Sequence, residues 1–183
     1  MSLSTELLSQ ARHLASKEPR RPRQASIRRS ISTAYYALFH FLGEESARFL
    51  VGGGPANKPL RDLGRRAIAH AKLKDVCTEF EKPTPRSSLL KPFWDTANRH
   101  DPHRIVGDSD LATICRALRD LQELRHVADY DFARDFLRQE ATDACDRSQE
   151  AMDAWARLRV AKPEVVKLFA TTILLWAGLS GRA

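Results

Sequence analysis

The chain has 183 residues, 30 Lys and Arg against 23 Asp and Glu, and a formal net charge of +7. A chain of this length buries roughly 70% of its unfolded surface, which supports one compact domain, 1–183, without metal or disulfide. The three cysteines, Cys77, Cys115 and Cys145, are odd in number and far apart. That excludes the close pairing of a zinc or redox motif and points to reduced, buried thiols in a cytoplasmic protein.

The amino-terminal stretch MSLSTELLSQARHLA lacks an uninterrupted apolar segment, so it does not read as a signal peptide. A first helix is expected from Ser4, as its cap, through Leu7, Leu8, Ala11 and Leu14 to Lys17, where the segment 19–22 breaks it. Residues 17–29 then hold six basic groups, Lys17, Arg20, Arg21, Arg23, Arg28 and Arg29, against Glu18, a local net charge of +5. Such a run is a solvated surface in its plainest reading, and a contact for phosphates or an acidic partner in the other. The arginines Arg20, Arg21, Arg23, Arg28 and Arg29 are the nucleic-acid-binding candidates.

The second helix holds the most informative stretch, RRSISTAYYALFHFL. Ile27, Ile31, Ala34, Leu38, Leu42 and Phe49 recur at three-, four- and seven-residue steps and draw one apolar stripe. Tyr36 and His40 share a different face with Arg29 and Thr33. A helix with specific groups on two faces lies centrally, and its buried tyrosines need hydroxyl partners, which Arg125 or Asp129 can supply. Tyr35, Tyr36, His40 and Asp129 are therefore expected to form a polar network. The helix ends at Gly52-Gly53-Gly54-Pro55.

A third helix is predicted over 59–80, with Leu63, Ile68, Leu73, Val76 and Phe80 inward. From 81 to 108 the pattern dissolves into prolines, and this long insertion is expected to hold a short helix near 89–98. Arg86, Lys91, Arg99 and Arg104 alternate there with Phe93 and Trp94. The aromatic pair either pins the loop to the bundle or, with the basic groups, offers stacking and phosphate contacts. His100 and His103 have no carboxylate or thiol at a matching spacing, and no metal or other cofactor is expected.

Asp108 or Ser109 caps a fourth helix carrying Leu111, Ile114, Cys115, Leu118, Leu121 and Leu124. A fifth helix is expected from just after Asp131 to Arg159, with Phe132, Phe136, Leu137, Ala144, Ala151 and Trp155 inward. Its first part is acidic: 131–153 holds seven acids against three arginines, a net charge of −4. Pro163 opens a sixth helix, apolar nearly all round, in the segment 163–183, to be buried in the bundle or against a second subunit. Its uncharged part, 168–179, spans about 18 Å as a helix against about 30 Å of bilayer core, so no membrane span is expected. The expected fold is an all-α bundle of five to six helices with a long insertion before the fourth.

The segment Ala34-Tyr35-Tyr36-Ala37-Leu38-Phe39-His40, followed about ninety residues later by Arg125-His126-Val127-Ala128-Asp129-Tyr130, resembles the HEPN superfamily of all-α domains. The resemblance covers about 7–158. Many members are metal-independent, dimeric ribonucleases with Arg, four to six residues, then His, the Arg stabilising phosphate charge and the His acting as acid or base. Here Arg125 is followed by four residues and then Tyr130 instead of His, as in the subgroup with Arg-x-x-Ala-Asp-Tyr, and a tyrosine of ordinary pKa near 10 is a poor proton shuttle. The resemblance therefore implies a catalytically degenerate binding or partner module, a homodimer in a toxin–antitoxin or defence setting with a nucleotidyltransferase partner. One formal match remains, Arg119 and His126 seven apart on one helix face. The alternative is thus a metal-independent RNA endonuclease using Arg119, Arg125, His126 and Tyr130, with the basic 20–29 patch guiding RNA. Arg125 and Asp129, four apart, can also simply pair and order the junction.

Overall fold

A computed structural model describes residues 1–68, 70–85, 88, 90–98, 105 and 107–179. Arg86, Leu89, Arg99, His100, His103 and Arg104 lie outside them, as do the side chains of His70 and Phe93. All regular structure among the described residues is helical: α1 Leu3–Ser16, α2 Gln24–Val51, a 3₁₀ turn Pro55–Asn57, α3 Lys58–Ala67, α4 His70–Phe80, α5 Lys91–Asn98, α6 Ser109–Tyr130, α7 Arg138–Ala161 and α8 Pro163–Leu179. The all-α class expected from the periodicity holds, and none of these helices is long and apolar enough to cross a membrane.

Several boundaries differ from the sequence expectation. The cap of α1 is Ser2, whose hydroxyl accepts from the Thr5 amide at 3.3 Å, and Ser4 is buried inside the first turn. The expected helix over 59–80 divides into α3 and α4 because Ile68 takes extended backbone angles. The five-residue steps from Leu63 to Ile68 to Leu73 already break the 3.6 period, and Leu63, expected inward, is 67% exposed. The expected early start of the fifth helix also fails. Residues 131–137 are non-helical and α7 begins at Arg138. There the Leu137 amide donates to Glu140 Oε2 at 2.8 Å, one half of a capping box. Phe136 is buried as expected, whereas Phe132 and Leu137 face solvent.

The chain forms two compact units, Met1–Phe41 with Arg116–Asp153, and Leu42–Cys115 with Ala154–Ala183. In the first, Ile27, Ile31, Ala34 and Leu38 of α2 supply the buried stripe, and Ala11, Leu118 and Leu121 are buried on α1 and α6. Ser30 sits within it and donates to the Ala11 carbonyl at 2.7 Å, which removes the cost of a buried hydroxyl. Its oxygen is also 3.8 Å from Cys145 Sγ.

The second unit is organised by α8, which packs on α3, α4 and α5. Its face of Val165, Val166, Phe169, Ile173 and Trp176 is buried within the chain itself. Phe169 meets Phe80 edge-on at 4.9 Å and Trp155 at 6.3 Å. Trp94 meets Phe80 at 5.2 Å and donates to the Pro83 carbonyl at 3.1 Å. With 2% exposure, Trp94 pins the insertion and presents no face for stacking on a base. Gly52 closes α2 with φ 85°, a left-handed angle that a side chain resists. Arg61 Nη1 then binds the Gly52 and Gly54 carbonyls, each at 2.9 Å.

Two outcomes are expected. Phe169→Ala removes the ring shared by Phe80 and Trp155 and should destabilise by about 3–5 kcal/mol, read from the urea midpoint. Burial pushes the Cys145 thiol up, against a smaller opposing effect of Ser30. The unfolded thiol, near pKa 8.5, ionises first, so this contribution to stability is complete below that pH and is lost as pH rises through the native value. Stability of Cys145→Ala should fall less than that of the parent between pH 8 and 10 in denaturant titrations.

Candidate functional site

Residues 24–41 of α2 and 116–130 of α6 bring the sequence-predicted groups together within the first unit. Arg125 is their centre. Its Nη2 donates to the Tyr36 hydroxyl at 2.8 Å, and its Nε lies 2.7 Å from Asp129 Oδ2, one helical turn on. The Asp129 contact is an ion pair whose N–H is not aligned as a hydrogen bond. Asp129 Oδ1 accepts from Ser32, which ties the carboxylate back to α2. The guanidinium carbon also lies 5.4 Å from the Tyr36 ring centroid and 5.7 Å from that of Tyr130, both within cation–π range.

The electrostatics follow. Burial disfavours the Arg125 charge, but the Tyr36 and Asp129 side chains, with Tyr130, outweigh it and hold the guanidinium pKa above its usual range. The charge is therefore permanent and internally compensated. Both partners stand at 24% exposure, dry enough for the pair to count and wet enough that it is worth little more than an ordinary charged hydrogen bond.

Around this centre lie two aromatic groups of different exposure. Tyr35 is fully buried, edge-on to Tyr36 at 5.4 Å. His40 stacks on Tyr36 at 6.3 Å and meets Phe39 at 5.5 Å. On α6, His126 is exposed and its ring lies 5.0 Å from that of Tyr130, itself 61% exposed. Arg119 is half-buried two turns earlier on the same helix, about 10 Å away along the axis. Tyr35, Tyr36, His40, Arg125 and Asp129 are thus one packed cluster, with His126 and Tyr130 at its exposed rim.

The basic candidates divide. Arg28 spends its guanidinium on backbone: Nη1 donates to the Ala128 carbonyl at 2.8 Å and Nη2 to that of Arg134, with the Phe136 ring at 5.1 Å. Arg20, Arg21, Arg23 and Arg29 are exposed and have no ion-pair partner among the described residues.

Two residues that carry this arrangement escaped the sequence reading. Ser32 lies one turn before Tyr36, and a small polar residue beside an apolar stripe was its only signal. Gln24 donates to the Phe136 carbonyl at 2.9 Å and accepts from the Phe136 amide at 3.0 Å. No local pattern announces a partner 112 positions away. Among the described residues, no group of three or more His, Cys, Asp or Glu could hold a metal.

Removing the carboxylate tests the cluster. Asp129→Ala leaves Arg125 half-buried without its counter-charge and should cost about 1–2 kcal/mol. A double-mutant cycle of Tyr36→Phe with Arg125→Lys should return a coupling of about 0.5–1 kcal/mol in urea titrations, because Lys cannot hold both the carboxylate and the hydroxyl in one planar fork. Comparison of the chain with family models, with curated proteins and with solved structures finds no match in any of the three.

Proposed function

We propose that the chain is a HEPN-like helical partner-binding module, catalytically degenerate, that acts as a cytoplasmic homodimer in a toxin–antitoxin or defence system beside a nucleotidyltransferase. One observation carries this. The arginine of the Arg-x-x-Ala-Asp-Tyr element is engaged at once by Asp129, Tyr36 and the Tyr130 ring. A phosphoryl-stabilising arginine has to meet developing negative charge with its own charge not already paired. Arg125 instead has its charge answered inside the protein, and two helices are fastened by it. An arginine so engaged serves to order a junction.

The endonuclease alternative draws on a separate observation, the exposure of His126 on the same helix as Arg119. General acid–base work on a ribose or leaving oxygen needs a histidine that substrate can reach, and His126 meets that condition alone among the residues of the element.

Incubation with total cellular RNA in the presence of a chelator separates the two. The parent chain, Arg125→Ala and His126→Ala should all leave RNA intact, and a nucleotidyltransferase should copurify with the parent. Cleavage by the parent that disappears in both variants would overturn the module in favour of the endonuclease.

A further inference from the structure

The connection between α6 and α7 presents a feature that the Arg125 cluster touches only through the Tyr130 ring. Tyr130, Phe132 and Leu137 are 61%, 85% and 71% exposed within eight consecutive residues. Exposed apolar side chains on a slack loop would be unremarkable. This loop is not slack. Its Phe136 is buried and its backbone is gripped on both sides by Gln24. The Arg134 carbonyl takes Arg28, and the Ala133 amide donates to Asp131 Oδ1 at 3.0 Å. Arg134 itself is bound to Glu140 at 2.6 Å and lies 4.6 Å over the Phe136 ring. The loop is held in one conformation while its Phe132 and Leu137, with Tyr130 at the end of α6, are turned to water. Such preorganised apolar exposure is what a docking surface requires, because the ordering cost falls before the partner arrives.

The same ties bring the basic segment 17–23 to this loop. Arg138, next to Leu137, donates to the carbonyls of Glu18 and Pro19. Gln24, next to Arg23, holds Phe136, the other neighbour of Leu137. Leu137 is therefore flanked through both of its sequence neighbours by the ends of an exposed segment whose Arg20, Arg21 and Arg23 have no ion-pair partner among the described residues. Uncompensated positive charge beside fixed apolar groups selects an occupant that is acidic and apolar at once.

A nucleic-acid strand fits less well. Asp131 and Asp135 are exposed in the same loop, so the positive charge lies on the 20–23 side of the surface. A uniformly charged phosphate backbone is repelled at the loop, whereas a peptide can set its acids against Arg20, Arg21 and Arg23 and its apolar side chains against the loop, and Leu137 has no ring for a base to stack on. We infer that Tyr130, Phe132 and Leu137, bordered by Arg20, Arg21 and Arg23, form a docking surface for an acidic segment of a partner protein that carries apolar anchors. This deepens the proposed function and rests on its partner-module reading. Apolar anchors would fill the surface and supply most of the affinity. The arginines would add selectivity and speed of encounter, so binding should weaken with salt.

Selection of phage-displayed random peptides of about 12 residues on the immobilised full chain, followed by fluorescence anisotropy of the winners, tests it. The expected winners combine Asp or Glu with two or more Leu, Phe or Trp. They should lose about tenfold or more in affinity for Phe132→Ser/Leu137→Ser and, separately, for Arg20→Glu/Arg21→Glu/Arg23→Glu. All substituted side chains are exposed, and unchanged helical circular dichroism certifies the fold of each variant. Three results would overturn the inference: no enriched peptide, winners indifferent to both variants, or an oligouridylate that binds at these residues more tightly than any peptide. RNA cleavage by the parent would sink the proposed function while leaving the peptide result intact, so the two failures are told apart.

Discussion

Seven residues between α6 and α7 form no regular structure, and a backbone without regular structure still has donors and acceptors to satisfy when it is packed against a core. In this protein α2 satisfies them with side chains. Gln24 answers both polar groups of Phe136, and Arg28 bridges the Ala128 carbonyl near the end of α6 and the Arg134 carbonyl in the loop. The Ala128 carbonyl belongs to the last turn of α6, where no helical amide remains to take it. The position of the loop, and with it the direction in which Phe132 and Leu137 point, follows from those two side chains.

One turn further along, the same pair of helices is tied a second time through Ser32, Tyr36, Arg125 and Asp129. These contacts are charge-assisted and directional, so they fix helix register, which the apolar stripe of Ile27, Ile31, Ala34 and Leu38 alone would leave adjustable. Burying the stripe supplies free energy, and the polar contacts select one alignment among those that bury it. The consequence for chemistry is direct. A guanidinium whose charge is already paired with Asp129 gains less from a phosphate, and this links the packing of α2 to the functional reading.

In the second unit the constraint is steric. Phe80, Trp94, Trp155 and Phe169 form a chain of rings that α8 closes from one side. An apolar helix such as α8 has to be covered, and its largest side chains are covered within the same chain. The proline-rich insertion is held to this cluster by Trp94, whose indole N–H takes a carbonyl of the insertion itself.

The amino-acid sequence determined the class of the fold and most of its helices, because burial along a helix repeats every 3.6 residues and prolines and glycines interrupt it. It also marked Tyr36, Arg125 and Asp129 as a possible network, since Arg125 and Asp129 are one turn apart and a half-buried tyrosine needs a partner. What it could not determine were contacts between residues about a hundred positions apart. Phe132, Phe136 and Leu137 look alike as apolar residues in a run, yet one is buried and two are exposed. The choice depends on Gln24 and Arg28 gripping the backbone between them. Arg28 likewise reads as one more charge among Arg20, Arg21, Arg23 and Arg29. Only the tertiary structure separates it from them, because the carbonyls it binds reach it through folding and not through sequence.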